Sequence, residues 1–273
     1  MGYPRLKPVL LLAMLSVAGL ASAAGKCDRV IATGAADNPP FLWRDPQHPE
    51  RLIGANADLL RQITDAVDLK LEILYTGDAE KALDEVRSGR VDILAGVPLS
   101  IERLGEMDFV HPAVAELETL PWVRRDHIWL YGSREDLVGR AGAYVSGTRF
   151  GRAFDAFARD SLRMQSVSNL TQALQSVLVG ESDYVLHERY SAIVQADTLG
   201  LLDDLQPLDP PVLSHGLHLA VSHDSACNDA WLRGQLALKM TQLRAAGVPH
   251  ALLMKNIDLW KSQQLAPAST GQD

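Results

Sequence analysis

ADLLRQITDAVDLKLEILYTGDAEKALDEVRSGRVDILAG, residues 57–96, switches between two hydrophobic periods, and the switching decides the fold. Leu59, Leu60, Ile63, Ala66 and Val67 recur at helical spacing, so Ala57 to Val67 reads as an amphipathic helix. Leu69 to Leu74 alternates as Leu-Lys-Leu-Glu-Ile-Leu, the two-residue period of a strand. Ala79 to Ser88 returns to the helical period, and Gly89 stops it. Val91 to Gly96 is a short apolar run bounded by turn residues, which suits a buried strand. Arg29 to Thr33 supplies a strand ahead of this stretch, and Gly34 to Pro40 a loop. The order β-α-β-α-β predicts a parallel sheet covered by helices. Sheets of this kind take ligands at the carboxyl ends of their strands, here the loops after Thr33 and after Gly96.

The second half repeats the pattern. Gly142 to Ser146 reads as a strand, Arg149 to Arg159 and Asn169 to Val179 as helices, and Asp183 to His187 as a strand. Leu83…Gly89-Arg90-Val91-Asp92 and Leu174…Gly180-Glu181-Ser182-Asp183 are one device used twice: helix, glycine cap, polar turn, aspartate, apolar strand. Two α/β lobes are therefore expected, joined by two crossing strands at Leu120–Arg124 and Leu217–Ser222. Residues 24–120 with 219–262 form the first lobe, and 121–218 the second. Cys227 to Ala246 reads as a long helix returning to the first lobe, and 263–273 as a mobile polar tail.

Arg5 and Lys7, the apolar run Val9 to Leu20 and Ala21-Ser22-Ala23 have the layout of a cleaved secretory signal over residues 1–23. The run is too short for a membrane span, which needs about 20 apolar residues. Export to the periplasm is expected, with 250 residues left, enough for two lobes. The formal charge of −8 becomes −10 without Arg5 and Lys7, which argues against nucleic acid or an anionic membrane as partner. The only cysteines are Cys27 and Cys227, and a matched pair in an oxidising compartment predicts a disulfide. His215, His218 and His223 cluster, but they lack the partners and spacing of a zinc site. The sequence carries no phosphate-binding, dinucleotide or hydrolase motif, so neither metal, cofactor nor enzymatic activity is expected.

Gly54-x-x-x-Asp58-Leu59-Leu60, the Ser88-Gly89-Arg90-Val91-Asp92 turn, Ser100-Ile101-Glu102-Arg103 and Met107-Asp108-Phe109 stand in a characteristic order. Ser146-Gly147-Thr148 and Gly180…Asp183-Tyr184-Val185-Leu186 follow in the second half. With these motifs the chain resembles the family 3 bacterial solute-binding proteins, periplasmic receptors for glutamine, histidine, arginine and related ligands. The resemblance implies the type II periplasmic binding protein fold and a monomer. It further implies a small-molecule ligand handed to an ABC permease. It also implies site residues: Arg103 pairing with a ligand carboxylate through its planar guanidinium, Gly96 at the strand edge, and Gly147 and Thr148 offering backbone N–H groups before a helix. Glu188 takes the place of an ammonium-binding aspartate, and Phe41 and Trp43 that of an aromatic wall.

The sequence departs from that pattern at two points. Pro98 stands where a hydroxyl donor is usual and offers neither hydroxyl nor N–H. Gly34 stands where an aspartate commonly holds the ammonium, with Asp37 further on. These departures keep open a ligand-sensing or accessory role on the same fold. A third reading is a dehydratase of the cyclohexadienyl type, with Glu188 as general acid.

Overall fold

The computed structural model describes residues 27–265; the leader expected over 1–23 and the tail beyond 265 lie outside them. The first lobe opens with β1 (Arg29–Thr33), a small hairpin sheet of β2 (Asp37–Asn38), β3 (Leu42–Arg44) and β4 (Leu52–Ile53), and α1 (Ala55–Asp65). It continues with β5 (Lys70–Ile73), α2 (Ala79–Arg87), β6 (Ile93–Pro98), α3 (Ile101–Leu104) and β7 (Met107–Phe109). β8 (Ala115–Arg124) crosses to the second lobe, which holds β9 (Ala141–Val145), α4 (Arg152–Ser161), β10 (Arg163–Val167) and α5 (Leu170–Leu178). β11 (Tyr184–Glu188), α6 (Arg189–Thr198) and β12 (Leu205–Pro207) complete it. β13 (Leu213–Ser222) crosses back to α7 (Ala230–Ala245) and α8 (Val248–Leu265).

The strands line up as β10-β9-β11-β8-β13-β6-β1-β5. β1, β5 and β6 pair in parallel, as do β9, β10 and β11, so each lobe owns a parallel segment. The segments meet through β8 and β13, whose antiparallel register runs from Leu213 opposite Thr119 to Leu217 opposite Ala115. Both crossing strands begin earlier than the apolar runs suggest. The earlier halves, interrupted by Glu116, Glu118, Ser214 and His215, make the bridge between lobes.

Alternation across the strands gives each sheet two buried faces. In β6, Ile93 and Ala95 pack under α1, α7 and α8 with Leu60, Ile63, Leu236 and Met240. Leu94 and Val97 point the other way, toward Val86 of α2 and Met107. In β11, Val185 faces Leu174 and Val177 of α5, while Tyr184 and Leu186 face Phe150 and Phe154. Each such aliphatic side chain contributes about 1.5–3 kcal/mol relative to exposure.

The twice-used turn has a hydrogen-bonding reason. Asp92 N–H donates to Ile31 O (3.0 Å), and Asp92 Oδ2 accepts from Ile31 N (2.8 Å). Asp183 N–H donates to Ala141 O (2.7 Å), and Asp183 Oδ2 accepts from Ala141 N (2.7 Å). In each lobe the aspartate clips the third strand onto the first. Gly89 and Gly180 precede it with φ of +70° and +77°, the left-handed conformation that glycine adopts without cost.

Cys27 and Cys227 are joined, closing a loop of 200 positions within the first lobe. The chain beyond α7 departs from expectation. Gly247 ends α7, and α8 then runs to Leu265, so residues 263–265 are helical rather than tail. α8 packs on α1 through Asp58, which takes Lys255 Nζ (3.0 Å) and Asn256 Nδ2 (3.1 Å). Its far end reaches the second lobe, where Lys261 Nζ meets Asp197 Oδ1 of α6 at 2.9 Å.

Candidate ligand cleft

A cavity of about 490 Å³ lies between the lobes, floored by the crossing strands. Leu117 and Thr119 of β8 and Leu213 and His215 of β13 face it, one side of each strand by the two-residue period. The opposite side of β8 carries Glu116 and Glu118 into a second, smaller cavity of about 250 Å³, beside Phe41 and Tyr190.

The first lobe brings Asp37, Asn38 and Pro39 to the larger cavity, together with Trp260 of α8. The second lobe brings Thr148, Arg149 and Phe150 from the loop after β9. Its other contribution is His187 and Glu188 from the end of β11, with Ser191 and Gln195 of α6. Gly147 (φ +85°) turns the backbone ahead of Thr148 and Arg149, which line the cavity, and Thr148 N–H closes the turn on Val145 O at 3.1 Å. α4 starts only at Arg152, capped by Gly151, so Thr148 stands in the loop rather than at the helix start.

Glu188 lines the cavity, but its carboxylate is already engaged. Oε1 accepts from Tyr190 N (3.0 Å) and Oε2 from Ser191 N (2.7 Å), so it caps α6. Burial pushes its pKa up, opposed by those backbone N–H groups. Burial holds His187 neutral, its pKa pushed down to about 4. His215 is lowered by the same cause, with Glu116 acting against it. Arg189 ties the start of α6 to the floor through Glu118 (2.7 Å) and Asp209 (2.9 Å).

Other residues singled out in the sequence lie elsewhere. Arg103 does not line the cavity; its Nη1 donates to Pro98 O at 2.9 Å, holding the short α3 against β6. Gly96 (φ +115°) is required by packing, because a Cβ there would sit 2.2 Å from Asn56 Nδ2, which itself donates to Ala95 O. Trp43 is 2% exposed, edge-on to Trp260 at 5.5 Å, with Nε1 donating to Gln263 Oε1 (2.9 Å). Phe41 is 1% exposed and edge-on to Tyr190 at 5.9 Å. Phe41 packs across to the second lobe and Trp43 within the first, and neither ring walls the larger cavity. Sequence reasoning missed Arg149, His187 and Trp260. Arg149 and His187 are each one position from a residue it selected. Trp260 is carried in by α8, which no local pattern announced.

Two α/β lobes, each a parallel sheet segment, joined by two crossing strands with a polar cavity between them, define a type II periplasmic binding protein fold. The chain belongs to the bacterial extracellular solute-binding proteins, family 3, whose sequence model matches residues 30–255. Substrate binding domain 2 of GlnP from Lactococcus lactis, in its open conformation, superposes with a TM-score of 0.67 at 20% identity, covering 86% of this chain and 96% of that one. The amino acid ABC transporter substrate-binding protein AbpA of Streptococcus pneumoniae, bound to L-arginine, gives 0.57 at 17%, covering 85% and 96%. Among curated proteins, the sensor protein EvgS of Escherichia coli O157:H7 is 29% identical over 168 residues. That match takes in 60% of this chain and 13% of EvgS, so the chain spans about an eighth of that relative's length.

Proposed function

We propose that this protein is a periplasmic receptor whose lobes close on a small polar, carboxylate-bearing solute, and that it delivers this solute to an ABC permease. The observation that carries the reading is the interlobe cavity, whose second-lobe wall includes Thr148 and Arg149 of the loop after β9. A guanidinium pairs with a carboxylate through two N–H donors, and exclusion of water on closure strengthens the pair. AbpA, which shares the fold, binds L-arginine and serves a transporter, and this supports an amino-acid-type solute. A thermal-shift screen of amino acids, polyamines and organic acids tests the reading. A true ligand at 100 times its dissociation constant raises stability by about 2.7 kcal/mol. A melting temperature that no solute moves defeats it.

A second reading is a receptor that reports its occupancy to a signalling partner. The match to EvgS, a sensor protein, favours it. Ligand-dependent crosslinking in intact cells separates the two: capture of a permease supports delivery, and capture of a sensor kinase supports reporting.

A further inference from the structure

The charges facing the interlobe cavity are few, and they stand on opposite walls. Asp37 comes from the first lobe and Arg149 from the second, both exposed. Among the described residues neither has a hydrogen bond or ion pair from its side chain, and they do not pair with each other. The third charge, Glu188, spends both oxygens on the α6 backbone. Burial pushes the pKa of the His187 imidazole down to about 4 and lowers that of His215. Thr119, Ser191 and Gln195 offer uncharged polar atoms between the two walls.

A ligand with its ammonium and carboxylate on one carbon needs an acid and a base close together at one end of its site. Here the groups expected at such an end are dispersed: Arg103 is held off the cavity by Pro98 O, Gly34 has no side chain, and Glu188 is a helix cap. We infer that the cleft selects a molecule with charges at its two ends, an ω-amino acid type of zwitterion, its carboxylate taken by Arg149 and its ammonium by Asp37. The inference rests on the solute-receptor reading and names the class of solute. Arg149 and Asp37 are its specificity-determining residues, and closure brings each charge to its counterpart from the opposite lobe.

Calorimetric titration of the protein with isomer pairs tests this: 4-aminobutyrate against L-2-aminobutyrate, and 5-aminovalerate against L-norvaline. Butyrate and N-acetyl-4-aminobutyrate serve as partners lacking the cation. At least one ω-isomer binds about tenfold or more tightly than its α-isomer, and the cation-free analogues bind more weakly still. Arg149→Ala weakens that binding by roughly 100-fold and Arg149→Lys by less, as expected for truncating one member of a desolvated charge pair. Asp37→Asn weakens the ω-isomer but not butyrate, and Arg103→Ala changes affinity by less than about threefold. Unchanged melting temperatures of the unliganded variants show that they fold, since both side chains are exposed and unpartnered. Tighter binding of the α-isomers, or loss on Arg103→Ala with retention on Arg149→Ala, overturns the inference while leaving the receptor reading intact. Binding confined to cation-free carboxylates does the same. Failure of these probes and of the wider solute screen together removes both.

Discussion

The Asp92 and Asp183 turns are the same hydrogen-bonded clip in two lobes, yet their surroundings differ. Asp92 also accepts from Ser225 Oγ (2.5 Å), whose oxygen in turn takes Cys227 N–H (3.0 Å), so the first clip is wired into the disulfide. A Cβ on Gly89 would lie 2.3 Å from Asp224 O, whereas one on Gly180 would meet open space. Asp183 has the strand bond and no such support. The first lobe is built as a stapled platform. The second has no crosslink, and it supplies the larger share of the side chains facing the cavity. One local solution serves both lobes, and long-range contacts decide which of them is rigid.

The largest test of this contrast is removal of the staple. Cys27→Ser with Cys227→Ser costs about 5 kcal/mol by the chain-entropy relation for so long a loop. Urea denaturation measures it, and hydrogen exchange locates it, with β1 and β6 losing protection ahead of β9 and β11. A loss below about 2 kcal/mol, or one spread evenly over both lobes, breaks the contrast. Next come the glycines. Gly89→Ala costs about 3–4 kcal/mol, combining a left-handed residue with a backbone clash. Gly180→Ala carries only the conformational term, about 1–2 kcal/mol. Equal losses in melting curves would mean that Asp224 yields.

The aspartates sharpen the comparison further. Asp92→Ala loses two side-chain hydrogen bonds at roughly 1.5 kcal/mol each, and Asp183→Ala loses one. Equilibrium unfolding should rank them in that order, and the reverse order contradicts the wiring. A pH-dependent effect belongs to the second lobe alone. His187 is held near 4 when folded and titrates near 6.5 when unfolded, so the unfolded chain binds more protons between those values. Stability contributed by neutral His187 is full above about pH 6.5 and falls as pH drops toward 4, by at most about 1.4 kcal/mol per unit. The pH series of urea midpoints should flatten in this window for His187→Gln; an unchanged slope assigns the dependence to other groups.

The sheet and its helices were legible because their information is local. Alternation at Leu69 to Leu74 and helical spacing at Leu59, Leu60 and Ile63 survive folding, since each lobe has one inside and one outside per element. The paired cysteines were legible by elimination. α6 and α8 were not read as helices, because both bury residues around much of their circumference against two partners and show little one-sidedness. The cleft was half legible. Thr148 and Glu188 were found through motif position, but a motif fixes a backbone position and leaves open whether the side chain is spent on its own helix, as Glu188 is. Phe41 and Trp43 announced burial, and only the packing of Tyr190 and Trp260 shows what they are buried against.

The place of β13 bears on how the molecule is made. This strand sits between β6 and β8 at the middle of the sheet, yet it is the last strand among the described residues. Every strand of the second lobe has been synthesised by Pro207, while the first lobe, begun at Arg29, waits for Ser222 before its sheet can close. Its staple waits further, for Cys227. Assembly therefore runs against chain order: the lobe begun second can be completed first, and the platform is locked only when α7 begins.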